Sequence, residues 1–109
     1  MKIQSAHGEV LALIDRGASH SLIHQDTIER LYPVHQIHAT DIKLKSVTGQ
    51  SLEVKGCCEL AFQVAPELRI DHRFLVVDGS TTHQVILGLD FLADPERNIR
   101  HDLSDFILT

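Results

Sequence analysis

The chain has 109 residues, enough for one modest hydrophobic core and too few for two. Its composition is 43% hydrophobic and 23% charged, ordinary for a globular protein, and with 5% aromatics and no Trp the core is expected to rest on Leu, Ile and Val. A formal net charge of −5 without a Lys/Arg cluster gives no support to nucleic-acid binding; no apolar run has the length of a membrane span, and Met1 to Gln4 opens no signal-peptide core.

Taken in chain order, the run from Glu9 to Ile14 is short, apolar and bounded by Gly8 and Gly17, which predicts a buried strand. Asp15 to Ser21 is turn chemistry, and Leu22-Ile23 resumes strand character. Asp26 or Thr27 is placed to cap a short helical turn through Leu31, closed by Pro33. Asp41 to Val47 alternates, with Ile42 and Leu44 on one side and Lys43 and Lys45, a solvated pair, on the other. Thr48-Gly49-Gln50 turns the chain back through Leu52 and Val54 to Cys57, a hairpin with Gly at its tip. A second pair spans Cys58 to Val64 and Leu68 to Val77 around Pro66-Glu67. Val85 to Leu87 is a further strand, Leu89 to Ala93 a helical turn stopped before Pro95, and Asn98 to Leu108 a last strand pair. Many short strands separated by turn signals predict one small, closed or nearly closed all-β domain over residues 1–109.

Among the ionisable residues, Asp15 stands at the end of the apolar run Leu11 to Ile14 and is followed by Gly17, Ala18 and Ser19. A carboxylate at the mouth of a buried strand, flanked by small residues, is partly desolvated and approachable. In isolation, though, such an Asp is more often a turn or cap residue. Eight histidines raise metal binding. His20 and His24 lie in turn and strand rather than on a helix face, and His35 and His38 flank a loop. Adding the vicinal Cys57-Cys58 gives no zinc-ligand spacing, so no metal is expected. Those two thiols fit a reducing compartment, as neighbours rarely meet disulfide geometry. Ser19 and Ser21 lie close to His20 and Asp15, but local clustering does not make a nucleophilic triad. Asp71, Asp78, Asp90 and Asp102 stand in no segment like the one around Asp15, so no second catalytic carboxylate is expected within one chain; Asp90 is expected to cap the short helix or pair with a neighbouring charge.

Three segments read together change the weight of Asp15. Ala12-Leu13-Ile14-Asp15-Arg16-Gly17-Ala18-Ser19-His20-Ser21-Leu22-Ile23 resembles the active-site segment of the retropepsin-like aspartic proteases, in look closest to those of gypsy-type retrotransposons. Val85 to Leu92, with Leu87-Gly88 at its centre, resembles the family's second signature, roughly seventy residues further on. The Thr48-Gly49 hairpin falls where the family has its flap, and Ile99 to Leu108 is similar to its closing strands. The resemblance implies a retropepsin fold in which each of two identical subunits brings one Asp to a shared axis. Such a carboxylate pair holds one proton between them and activates a water against a peptide carbonyl. It further implies that Gly17 and Ala18 leave room for substrate, that Leu13 and Ile86 line side-chain pockets, and that Val47, Thr48 and Gly49 close over an extended peptide. Implied partners are a second copy and a retroelement polyprotein, with no cofactor, nucleic acid or membrane, in cytoplasm or virus-like particles.

Arg16 departs from the family, which has Thr or Ser there, a hydroxyl that braces the partner's turn. Arg is larger, always charged and has no acceptor. Two such cations about 5 Å apart at an effective dielectric of 20 repel by roughly 3 kcal/mol, over a hundredfold in dimerisation. The residues leave open a weakly dimerising protease, a protease switched off, or an Arg16 balanced by an anion. Impaired cleavage is the expectation, with a catalytically silent interaction or assembly module as the alternative.

Overall fold

In the computed structural model the residues described are 1–43, 52–79 and 83–93. The expected flap tip at Val47, Thr48 and Gly49 and the expected closing strands from Asn98 to Leu108 lie outside them.

The strands are β1 (Lys2–Ser5), β2 (Gly8–Leu11), β3 (Leu13–Ile14), β4 (Leu22–His24), β5 (Leu52–Ala65), β6 (Leu68–Gly79) and β7 (Val85–Leu87). Two short helices, α1 (Gln25–Leu31) and α2 (Leu89–Leu92), complete the description. All seven strands join one sheet in the order β2-β1-β5-β6-β4-β7-β3. The two outermost strands, β2 and β3, are consecutive in the chain and separated by Ala12 alone. A sheet whose opposite edges are joined by one residue has to curl on itself, and the result is a nearly closed barrel. The small closed all-β architecture expected from the sequence is the one observed.

The single strand expected over Glu9 to Ile14 is in fact two. As far as Leu11 the segment pairs with β1, Lys2 opposite Leu11. Leu13 and Ile14 instead run parallel to β7, opposite Ile86 and Leu87. At the crossing, the Ala12 N–H donates to Met1 O at 2.7 Å, and the Met1 amino group donates to Ala12 O at 2.8 Å. An unbroken apolar run gives no sign of this change of neighbour, and the segment is less buried than expected: only Ala12 is buried, Val10, Leu13 and Ile14 are half-buried, and Leu11 is 72% exposed on the edge strand β2.

The long β5–β6 hairpin turns at Pro66-Glu67 and is longer than expected at its open end, reaching Leu52 and Gly79. A bulge between Val54 and Gly56 bends β5, and there Gly56 has φ +152°. A side chain on Gly56 would collide with the His38 carbonyl, which with the His38 N–H forms a two-bond bridge to Cys57. On the edge of β5 away from β6, where Cys57 pairs with Leu75, the neighbour of Cys57 is therefore His38. Residues Asp41, Ile42 and Lys43, expected to begin the pairing strand, are not in a strand.

Alternation sends Cys58, Leu60 and Phe62 of β5, and Ile70, His72, Phe74 and Val76 of β6, inward. The core is more aromatic at its centre than composition suggests. Phe62, Phe74 and Phe91 are fully buried, with the Phe62 and Phe74 rings edge-on at 5.9 Å. Three of the four Phe residues are thus spent in one place, with Leu, Ile and Val packed around them. Helix α1 covers one flank with Ile28 and Leu31. Its cap is His24, two residues before the expected Asp26 and three before Thr27: the imidazole Nδ1 accepts from the Asp26 N–H at 3.1 Å.

Candidate active site

Asp15 follows the last residue of β3, and its position is set by backbone bonds. Its N–H donates to Leu87 O at 3.0 Å, extending the parallel β3–β7 ladder by one step. Beyond it the chain turns: the Gly17 N–H donates to Asp15 Oδ1 at 2.9 Å, and the Ala18 N–H to Asp15 O at 3.2 Å. This is an Asx turn, in which the carboxylate organises the loop that carries it. A Cβ on Gly17 would stand 3.2 Å from Asp15 Oδ1, tighter than ordinary packing, so the turn favours glycine there. Asp15 is half-buried, and Arg16 is exposed with no ion pair among the described residues. Ala18 is half-buried beside it.

The second segment locks onto this turn from behind. The Leu89 N–H donates to Ala18 O at 2.8 Å. Gly88 passes so close that a Cβ would lie 2.6 Å from Ala18 O and 2.8 Å from His20 O. Leu87 is fully buried in the core, while Leu13 and Ile86, cross-strand partners, are half-buried. The structure therefore brings together Leu13, Asp15, Arg16, Gly17, Ala18, Ile86, Leu87 and Gly88. Val47, Thr48 and Gly49 fall outside the described residues.

Under the turn lies a polar cluster that sequence reasoning missed as a unit. Ser21, fully buried, donates its hydroxyl proton to Asp90 Oδ1 at 2.7 Å, and its N–H donates to Asp90 Oδ2 at 3.1 Å. The same hydroxyl accepts from the Gly88 N–H at 3.1 Å and lies 3.1 Å from His72 Nε2. Asp90 also accepts from the Phe91 N–H at 2.8 Å, so it serves both the helix start and a neighbour. Burial alone pushes the Asp90 carboxyl up, but bonds from His72 and from the Ser21 hydroxyl and N–H outweigh it and hold the group below its ordinary range. The available signal was the strand parity of β6, which places His72 inward with Ile70 and Phe74.

Several other histidines are engaged in hydrogen bonds of their own. His20 Nδ1 lies 2.9 Å from Ser19 Oγ, His24 Nε2 3.0 Å from Gly79 O, and His35 Nδ1 2.6 Å from Tyr32 O. Among the described residues no three His, Cys, Asp or Glu side chains converge to hold a metal ion, and no helix is long and apolar enough to cross a membrane. Both cysteines are free thiols; burial first of all raises the Cys58 thiol above its ordinary value. A surface concavity lined by His38, Cys57, Glu59 and Arg73 lies apart from the Asp15 turn.

A family model described as aspartyl protease matches residues 2–91, and the chain belongs to that family. Two solved structures share its fold. The retroviral protease-like domain of Ddi1 from Leishmania major superposes with a TM-score of 0.65 at 21% identity, over 84% of this chain and 72% of that one. EIAV protease, complexed with the inhibitor HBY-793, gives a TM-score of 0.64 at 19% identity, over 86% and 84%. The fold is thus retropepsin-like. No curated protein matches the chain.

Proposed function

We propose that this chain is one subunit of an aspartic endopeptidase, with Asp15 as its reacting carboxylate and an extended peptide of a gypsy-type retroelement polyprotein as its substrate. The observation that carries the reading is the Asp15 turn, braced by Gly17 in front and by Leu87, Gly88 and Leu89 behind. A carboxylate so fixed is preorganised to bind and deprotonate a water rather than to relax toward solvent.

One chain supplies one such turn, so catalysis requires a second copy meeting it across a two-fold axis. Two carboxylates that close share a proton: one takes a proton from the attacking water, and the protonated one polarises the scissile carbonyl and then serves the leaving amine. Leu13 and Ile86 are proposed to bound the neighbouring side-chain pockets, and Val47, Thr48 and Gly49 to contact the bound peptide. Cytoplasm or a virus-like particle is the proposed setting.

Arg16 limits this activity. Its guanidinium, exposed beside Asp15, faces its own twin in a symmetric dimer, with the roughly 3 kcal/mol repulsion worked out above. The same exposed cation favours the second reading, a silent module that keeps the fold without hydrolysis. Arg16→Thr is expected to increase both the dimer fraction in sedimentation and the cleavage of a polyprotein-derived peptide, and Asp15→Asn in that background to abolish cleavage. A gain in neither quantity defeats the protease reading and leaves the silent module.

A further inference from the structure

We propose that His72 is the positioning residue of the Asp15 turn, acting through the buried Ser21 hydroxyl; the inference deepens, and rests on, the reading of Asp15 as the reacting carboxylate. Ser21 is 0% exposed and His72 7%, so the Ser21 hydroxyl and His72 Nε2 find their partners inside the protein. A serine hydroxyl has one proton and two lone pairs. The proton goes to Asp90 Oδ1 and one lone pair takes the Gly88 N–H, which leaves one lone pair for His72 Nε2 at 3.1 Å. Two acceptors cannot bond each other, so Nε2 carries the hydrogen and His72 is the donor. Asp90 Oδ2, 3.4 Å from the same nitrogen, reinforces that tautomer.

The ring has little freedom to turn away. Phe74 and Phe91 meet it edge-to-face, with centroids at 5.4 and 5.1 Å. From Ser21 the constraint reaches Asp15 by two short routes. Gly88 leads to the Leu89 N–H on Ala18 O, and Ala18 bonds the Asp15 carbonyl; Leu87, next to Gly88, accepts the Asp15 N–H. An apolar side chain at position 72 fills the same space without desolvating an imidazole, so the polar group is explained by the bond it makes. The cluster is not a nucleophilic triad. Its hydroxyl is closed to solvent, its proton points at the carboxylate, and its histidine donates where a general base has to accept.

The test uses His72→Phe and His72→Gln, the latter keeping an N–H donor near Nε2, in the chain as it stands and in Arg16→Thr. In the chain as it stands, His72→Phe is expected to speed amide exchange at Gly88 and Leu89 about tenfold, with the β5–β6 amides unchanged, and His72→Gln to restore most of the protection. In the Arg16→Thr background the same pattern is expected in kcat, about tenfold down and then rescued, with KM within about twofold. Uniform loss of protection across the sheet, no change at Gly88, or His72→Gln behaving like His72→Phe overturns the proposal. If His72→Phe does not fold, His72→Gln retaining Gly88 protection and an Nε2-protonated His72 in nitrogen NMR of the parent chain support it, and an Nδ1-protonated ring overturns it. If Arg16→Thr cleaves nothing, the Asp15 reading falls, while the exchange results still decide whether His72 holds the turn.

Discussion

Replacing Gly88 with Ala tests whether the two signature segments are pressed together as closely as the backbone indicates. Gly88 has φ −99°, open to any residue, so backbone strain contributes nothing and only the close approach matters. The new methyl would lie 2.6 Å from Ala18 O, 2.8 Å from His20 O and 2.9 Å from the His20 carbonyl carbon, all backbone atoms that cannot swing aside. Relief to ordinary contact, 3.4 Å or more, requires the segments to part by about 0.8 Å, an overpacking cost of about 1–3 kcal/mol. That movement stretches the Leu89 to Ala18 bond, now 2.8 Å, adding about 1 kcal/mol if it is lost. The expected destabilisation is therefore about 2–4 kcal/mol, read as a lower urea midpoint at unchanged slope. Ile86→Val, two residues back and half-buried, is the comparison and is expected to cost about 0.5–1.5 kcal/mol. A Gly88→Ala chain within about 0.5 kcal/mol of the parent would refute the reasoning, since the two segments would then have room to spare.

Phe74→Ala, which empties the centre of the aromatic cluster, is expected to cost about 3–5 kcal/mol in the same denaturation assay, far more than Leu89→Ala at an exposed site. Asp90 has its folded-state carboxyl depressed by His72 and Ser21 against the opposing effect of burial, so its contribution is full above the ordinary value of 3.8 and fades as pH falls through the lower folded value. Asp90→Asn should accordingly lose stability near neutral pH and show a flatter acid limb than the parent in pH-dependent thermal melts. Tyr32, the sole tyrosine in a chain without Trp, donates its hydroxyl to Ala61 O at 2.8 Å, and burial first, with Cys58 adding, pushes it up to about 12. Phenolate absorbance should then titrate near 12 in the folded protein and near 10 in denaturant, and the stability Tyr32 contributes should be intact below 10 and disappear as pH rises toward 12.

What the sequence made readable was what local chemistry determines. Asp15, Gly17 and Gly88 stand out because a turn after an apolar strand and an apolar-apolar-Gly step each demand particular residue types. The strands of the β5–β6 hairpin, the short β7 and both helices followed from alternation and breakers in the same way. The split of Glu9 to Ile14 at Ala12 was invisible because apolar residues serve equally well against β1 and against β7; the choice is made by distant neighbours. His24 as a helix cap escaped notice because imidazole is an uncommon capping acceptor beside an Asp and a Thr. The Ser21–His72–Asp90 cluster joins three points scattered along the chain. Only the parity of β6 hinted that His72 turned inward, and nothing local named its partners. The aromatic centre was missed for a related reason: composition counts residues, whereas packing depends on where they meet.

The position of β7, between β3 and β4, has a consequence for how the molecule is assembled. Leu13 and Leu22 are close neighbours in the chain, yet each pairs with Ile86 rather than with the other. While the polypeptide is being made, the acidic turn has to wait for a partner still to emerge, and contacts of such long sequence separation slow folding. A truncated product ending before Val85 would carry Asp15 on a loop held only by its own turn bonds, without the Leu87 and Leu89 bonds that anchor it to the sheet. Supplying the missing strand as a separate peptide should restore order to that loop, making β7 a natural point of control over when this protein becomes structurally complete.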